Sequence, residues 1–132
     1  MLFRSNCTFP RLDFSTVERL SADERAAFTA NLRAAFDRAC AEGLFADRPL
    51  VDPRSYDRSL LYVMDAPGDD TLLIYFGPSA APPAMMASVP FGSPVRQPTV
   101  DELHEAIYCE VKGATRDEQV RDLRCEISRP NR

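Results

Sequence analysis

The chain has 132 residues, of which 45% are apolar and 27% charged, and its net charge is −4. That length and balance suit one globular domain, 1–132, able to bury its own core, and they exclude a disordered chain. Acidic balance without a basic cluster also excludes direct nucleic-acid binding as an expectation, because phosphate neutralisation needs concentrated positive charge. Residues 1–55 hold eight Arg against eight Asp or Glu, and the two later stretches, 56–98 and 99–132, are each acidic by two. Fifteen of the sixteen cations are Arg and one is Lys112. With abundant Ala and Asp, that bias reads as the codon usage of a GC-rich bacterium or its phage.

Four cysteines, Cys7, Cys40, Cys109 and Cys125, form no C-x-x-C pair and no ligand-like group with the single histidine. Met1–Asn6 lacks the charged-then-apolar pattern of a secretion signal, and no apolar run approaches the length that spans a bilayer. The even count permits two disulfides, but nothing else points to secretion, so the expectation is a cytoplasmic protein with reduced, mostly buried thiols and no membrane association.

In chain order, Ser15-Thr16-Val17-Glu18 reads as the start of a short turn of helix. The first strong element follows. Ser21-Ala22-Asp23-Glu24 is a capping box, in which the serine hydroxyl and the glutamate carboxylate satisfy each other's backbone amides. Beyond it Phe28, Leu32, Ala35, Phe36, Ala39 and Cys40 fall on one helical stripe, and Gly43 stands where a left-handed cap would end it. This is a long amphipathic N-terminal helix.

Residues 44–55 read as a loop, broken by Pro49 and Pro53. Two β-rich runs, Ser59–Met64 and Thr71–Gly77, flank a Pro67-Gly68 turn and predict an antiparallel hairpin in the middle of the chain. Both runs are nearly continuous in apolar residues, which predicts cover, at least in part, on both faces of each strand. An isolated hairpin is marginal in water, so a further strand or helix must support it.

From Gly77 to Val95 there is no charge, and five prolines fall inside the stretch. Its fragment 84–89 reads equally as a third strand or as a linker. Thr99 then caps a helix carrying Val100, Leu103, Ile107, Tyr108 and Val111 on one face, with Gly113 at its end. Thr115 caps a second stretch, for which a terminal strand over 123–128 is the rival reading. The fold class is α+β with C-terminal helices.

Candidate sites are few. His104 is the sole histidine and the natural acid–base candidate, with Glu105 or Tyr108 as helpers, although a boundary residue with one polar contact is the plainer reading. Cys109, five residues on, points about 140° away on an ideal helix and cannot pair with it locally. Glu105 shares a face with Cys109, and a carboxylate there raises a thiol's pKa rather than activating it. Asp65, Asp69 and Asp70 around the hairpin turn lack calcium-loop spacing, so a solvated acidic turn is expected and no metal. No nucleophile elbow, phosphate loop or dinucleotide fingerprint occurs, and no cofactor is implied.

The uncharged segment is the best functional candidate. Met85, Met86, Val89 and Phe91 sit among residues too small to bury them locally, and methionine and aromatics suit recognition surfaces. The alternative is a buried strand covering the hairpin. Read as a docking loop, Ala81–Phe91 could be deleted without loss of the fold. The functional expectation is a non-catalytic module that binds a cognate protein, of inhibitor, immunity or anti-defence type. A small enzyme centred on His104 and a self-associating adaptor, hence a homo-oligomer, are the alternatives.

Overall fold

The computed structural model describes residues 7–47, 56–66, 70–78, 85–91 and 97–115. Helix α1 spans Ala22–Ala41. Its capping box forms as the sequence predicts: the Glu24 amide donates to Ser21 Oγ at 3.1 Å and the Ser21 amide to Glu24 Oε1 at 2.8 Å. At the far end Gly43 takes a φ of 74°, the left-handed cap that a side chain would resist. Phe28, Leu32, Ala35, Phe36 and Ala39 are buried along the expected stripe.

Four strands form one mixed sheet in the order β1-β2-β3-β4: β1 Arg11–Asp13, β2 Tyr56–Asp65, β3 Thr71–Pro78 and β4 Met85–Pro90. β2 and β3 make the expected antiparallel hairpin, and β4 adds antiparallel to β3, so 84–89 is a strand. β1 pairs parallel to β2, with Leu12 opposite Leu61. The sequence reading missed it. Three residues carry too little periodicity to stand out, and the α1 crossover that a parallel pair needs gives no local signal.

Three further expectations are corrected. Ser15–Glu18 does not start a helix; the Val17 amide closes a turn onto the Phe14 carbonyl, while Asp13 Oδ1 accepts from the Ser15 amide. The stretch after Gly43 is not loop throughout, because Leu44–Asp47 forms the short helix α2. Its Leu44 and Phe45 are buried, and Phe45 stacks on Phe36 with ring centroids 5.1 Å apart. Gly113 does not end the last helix, since α3 runs Val100–Thr115. A second capping box starts it, with Glu102 donating to Thr99 Oγ1 at 3.1 Å and Thr99 to Glu102 Oε1 at 2.9 Å. The stretch expected after Thr115, including the rival strand at 123–128, lies outside the described residues.

Helices and sheet share one core. Leu61 and Val63 of β2, Leu72, Ile74 and Phe76 of β3, and Ala87 and Val89 of β4 pack with Phe28 and Leu32 of α1 and Leu103 and Ile107 of α3. Asn31 Nδ2 donates to the Pro98 carbonyl and Gln97 Nε2 to the Glu24 carbonyl, fastening the approach to α3 along α1. The helices therefore cover one face of the sheet. No described helix packs on the other face, whose apolar side chains are nonetheless half-buried.

The cysteine expectation is also overturned. Cys7 and Cys40 are joined in a disulfide with their Cα atoms 5.9 Å apart, and Cys109 is disulfide-bonded as well. The spacing gave no hint, because the partners are 33 positions apart and meet only when the N-terminal segment folds back along α1.

Candidate functional site

Strand alternation decides which side chains the sheet displays. With Leu61, Val63, Leu72, Ile74 and Phe76 facing the helices, Tyr62, Met64, Leu73 and Tyr75 face the other way. The register places Tyr62 opposite Tyr75 and Met64 opposite Leu73, and Met85 of β4 lies opposite Tyr75. Leu60 joins them at the end of the face, its Cδ2 only 3.3 Å from where a Cβ on Gly77 would stand. All six apolar side chains are half-buried, and no described helix packs over them. Neither tyrosine hydroxyl has a hydrogen-bond partner among the described residues. An amphipathic phenol with an apolar body and an unused polar tip is the side chain most suited to a wet interface.

Two irregularities shape this face. β2 advances from Asp57 to Leu61 while β3 moves by a single residue, and the Asp57 carboxylate accepts from both the Ser59 amide and hydroxyl at 2.9 and 2.7 Å. Those hydrogen bonds hold the Asp57 carboxyl below its ordinary pKa, as the Ser15 contacts do for Asp13. In β4, Met86 is an extra residue between the paired Met85 and Ala87. A bulge re-aims neighbouring side chains, which is why Met86 and Ala87 are both buried in succession.

The four residues expected to form a docking loop are divided by this geometry. Met86, Val89 and Phe91 are fully buried in the core, and only Met85 belongs to the face that no described helix covers. Phe91 packs 5.9 Å from the Phe28 ring, and its amide donates to the Asp70 carbonyl. Removing Ala81–Phe91 would take out a sheet strand and four core side chains, so the segment is not expendable. The tyrosines, Leu60, Met64 and Leu73 were missed as a surface. Their signal is present in the continuous apolar runs, which read as at least partial cover on both faces.

His104 is buried in α3, and its Nε2 lies 2.7 Å from Oε1 of the half-exposed Glu42 at the end of α1. Close by, Arg38 Nη1 donates to Asp101 Oδ1 at 2.7 Å. The Arg38 guanidinium holds the Asp101 carboxyl below its ordinary range, and Asp101 raises Arg38 in turn. Glu42 is 62 positions from His104, so no local pattern could have paired them. Of the turn carboxylates, Asp65 pairs with Arg19 and Asp69 lies outside the described residues.

A cleft of ≈ 320 Å³ separates Ser88 and Pro90 of β4 from Glu102, Glu105, Cys109 and Glu110 of α3. Among the described residues, no group of three or more His, Cys, Asp and Glu is arranged to hold a metal ion. No described helix is long and apolar enough to cross a membrane. No protein-family model, no curated protein and no solved structure matches this chain.

Proposed function

We propose that the chain is a non-catalytic module that acts by binding a cognate protein through the open face of its sheet. The observation that supports this is the facing pair Tyr62 and Tyr75, set among Leu60, Met64, Leu73 and Met85. Half-buried apolar side chains on a rigid sheet lose little conformational entropy when a partner covers them. At the β1 edge of this face Asp13 lies opposite Tyr62 and the exposed Arg11 opposite Leu60, so the rim carries both signs; the chain is acidic overall, and a partner with basic groups around an apolar patch suits that net charge. An inhibitor or immunity-type role is one form such binding would take. The disulfides favour an oxidising compartment over the cytoplasm for the assembled protein.

The test is a tagged pull-down from the native host, with complex mass read by light scattering, on wild type and on Tyr62→Arg/Tyr75→Arg. A stoichiometric partner recovered with wild type and lost with the variant is expected. A partner retained by a folded variant places binding elsewhere on the molecule. A wild-type chain that emerges only as monomer removes the reading, and a dimer disrupted by the variant replaces it with self-association.

A second reading, a small enzyme, draws support from the His104–Glu42 contact, because a carboxylate that orients an imidazole is the arrangement of a general base. Residues kept for chemistry commonly cost stability. If His104→Gln and Glu42→Gln match or exceed wild type in denaturant midpoint, the contact is free to serve chemistry. A loss of about 1 kcal/mol or more from each marks it as a bridge between α1 and α3.

A further inference from the structure

We propose that Cys7–Asp13 is a strap across the edge of β2, locked by the Cys7–Cys40 disulfide and released when a dithiol reduces it. Among the described residues the strap has few attachments. Its β1 portion pairs with β2 over three residues only, Leu60 to Tyr62. Phe9 packs edge-on against Phe36 with centroids 5.5 Å apart, and the Arg33 guanidinium lies over the Phe9 ring. Pro10 is buried, while Phe9 and Leu12 are only partly so. Just beyond Asp13 the chain is anchored independently, by Val17 fully buried in the core and by Thr16 Oγ1 donating to the Val63 carbonyl. Among the described residues, the disulfide is the one covalent cross-link on a segment whose other attachments are few.

Both cysteines are half-buried rather than enclosed, so a small or protein dithiol can reach the bond. The chemistry balances as ordinary exchange. One thiolate of the dithiol attacks a sulfur of Cys7–Cys40 to give a mixed disulfide, and its second thiolate resolves that intermediate. Two electrons and two protons pass to Cys7 and Cys40, which leave as thiols, and the reductant becomes a cyclic disulfide. Local opening of a weakly attached segment then becomes accessible without global unfolding. Opening uncovers the β2 backbone from Leu60 to Tyr62, an unpaired edge of the kind that accepts an added strand.

Hydrogen exchange on oxidised wild type and on Cys7→Ser/Cys40→Ser tests this, with the Cys109 bond left intact in both. A rise of tenfold or more in exchange across 57–64 of the double variant is expected, with β3 and β4 peptides unchanged. Oxidised wild type treated with dithiothreitol should show the same local rise. Equal protection of 57–64 in all samples would overturn the proposal, and so would a loss spread evenly over β2, β3 and β4, since the bond would then hold the whole domain. Two free thiols at Cys7 and Cys40 in air-oxidised protein would overturn it as well.

Discussion

Arg19 Nε donates to Asp65 Oδ1 at 2.7 Å, tying the turn before α1 to the last residue of β2. The same guanidinium donates through Nη1 to the Phe91 carbonyl at 3.2 Å and lies 5.6 Å from the centroid of the Phe91 ring. One side chain therefore joins the ends of two strands that flank β3. Arg19 and Asp65 are each about one-third exposed, which screens the ion pair, so the carbonyl and ring contacts matter more.

Arg19→Ala is expected to cost about 1–2 kcal/mol in urea unfolding. Arg19→Lys should recover less than half of that, because an ammonium cannot serve a carboxylate, a carbonyl and an aromatic face at once. Full recovery by lysine would show that charge alone was at work. Arg25, Arg33 and Arg58 also lie over phenylalanine rings, at 5.6, 5.7 and 5.9 Å. The arginine bias that reads as codon usage thus includes side chains whose planar shape the fold uses.

The division of the Met85–Phe91 segment gives a sharp contrast. Phe91→Ala should cost about 3–5 kcal/mol and Met86→Ala about 2–5, since each leaves a cavity among fully buried neighbours. Met85→Ser, on the open face, should cost less than about 1 kcal/mol. Comparable losses at all three positions in denaturant melts would place Met85 in the core too.

Gly77 and Leu60 are expected to be coupled. An added Cβ at Gly77 would meet Leu60 Cδ2 at 3.3 Å, tighter than ordinary contact, and the leucine must shift to admit it. Gly77→Ala alone should therefore gain little. In a Leu60→Ala background the same substitution should stabilise by about 0.5–1 kcal/mol, the ordinary benefit of replacing glycine in a strand. A double-mutant cycle that returns no coupling would mean that Leu60 moves aside freely.

What the sequence made legible follows the range of the interactions involved. Ser21–Glu24 and Gly43 fix α1 through contacts within four residues, and in the sequence the Pro67-Gly68 pair between two β-rich runs marks the hairpin by an equally local signal. Features made by distant residues were not legible. The Cys7–Cys40 bond, the Glu42–His104 contact and the Leu12–Leu61 pairing each join positions that share no periodicity. The open face falls between these cases. Its residues were identified as strand, but whether a strand is covered on one side or two depends on where α1 and α3 come to rest.

The Arg38–Asp101 pair sets a pH dependence whose sign follows from its position. Hydrogen bonding from Arg38 holds the folded Asp101 carboxyl below the ordinary value near 3.8. The unfolded chain then binds the proton more readily, so the stabilisation is complete above that value and is lost as pH falls through the lower folded one. Asp13 and Asp57 act in the same direction through Ser15 and Ser59. Arg38, raised by the same contact, stays charged throughout this range and adds no slope there. Asp101→Asn should thus flatten the fall in thermal midpoint below about pH 4 while leaving the Asp13 and Asp57 share in place. The triple variant Asp13→Asn/Asp57→Asn/Asp101→Asn should flatten it further. An Asp101→Asn curve parallel to wild type in that window would show that the pair is broken in solution, since both residues are solvent-exposed on the seam between α1 and α3.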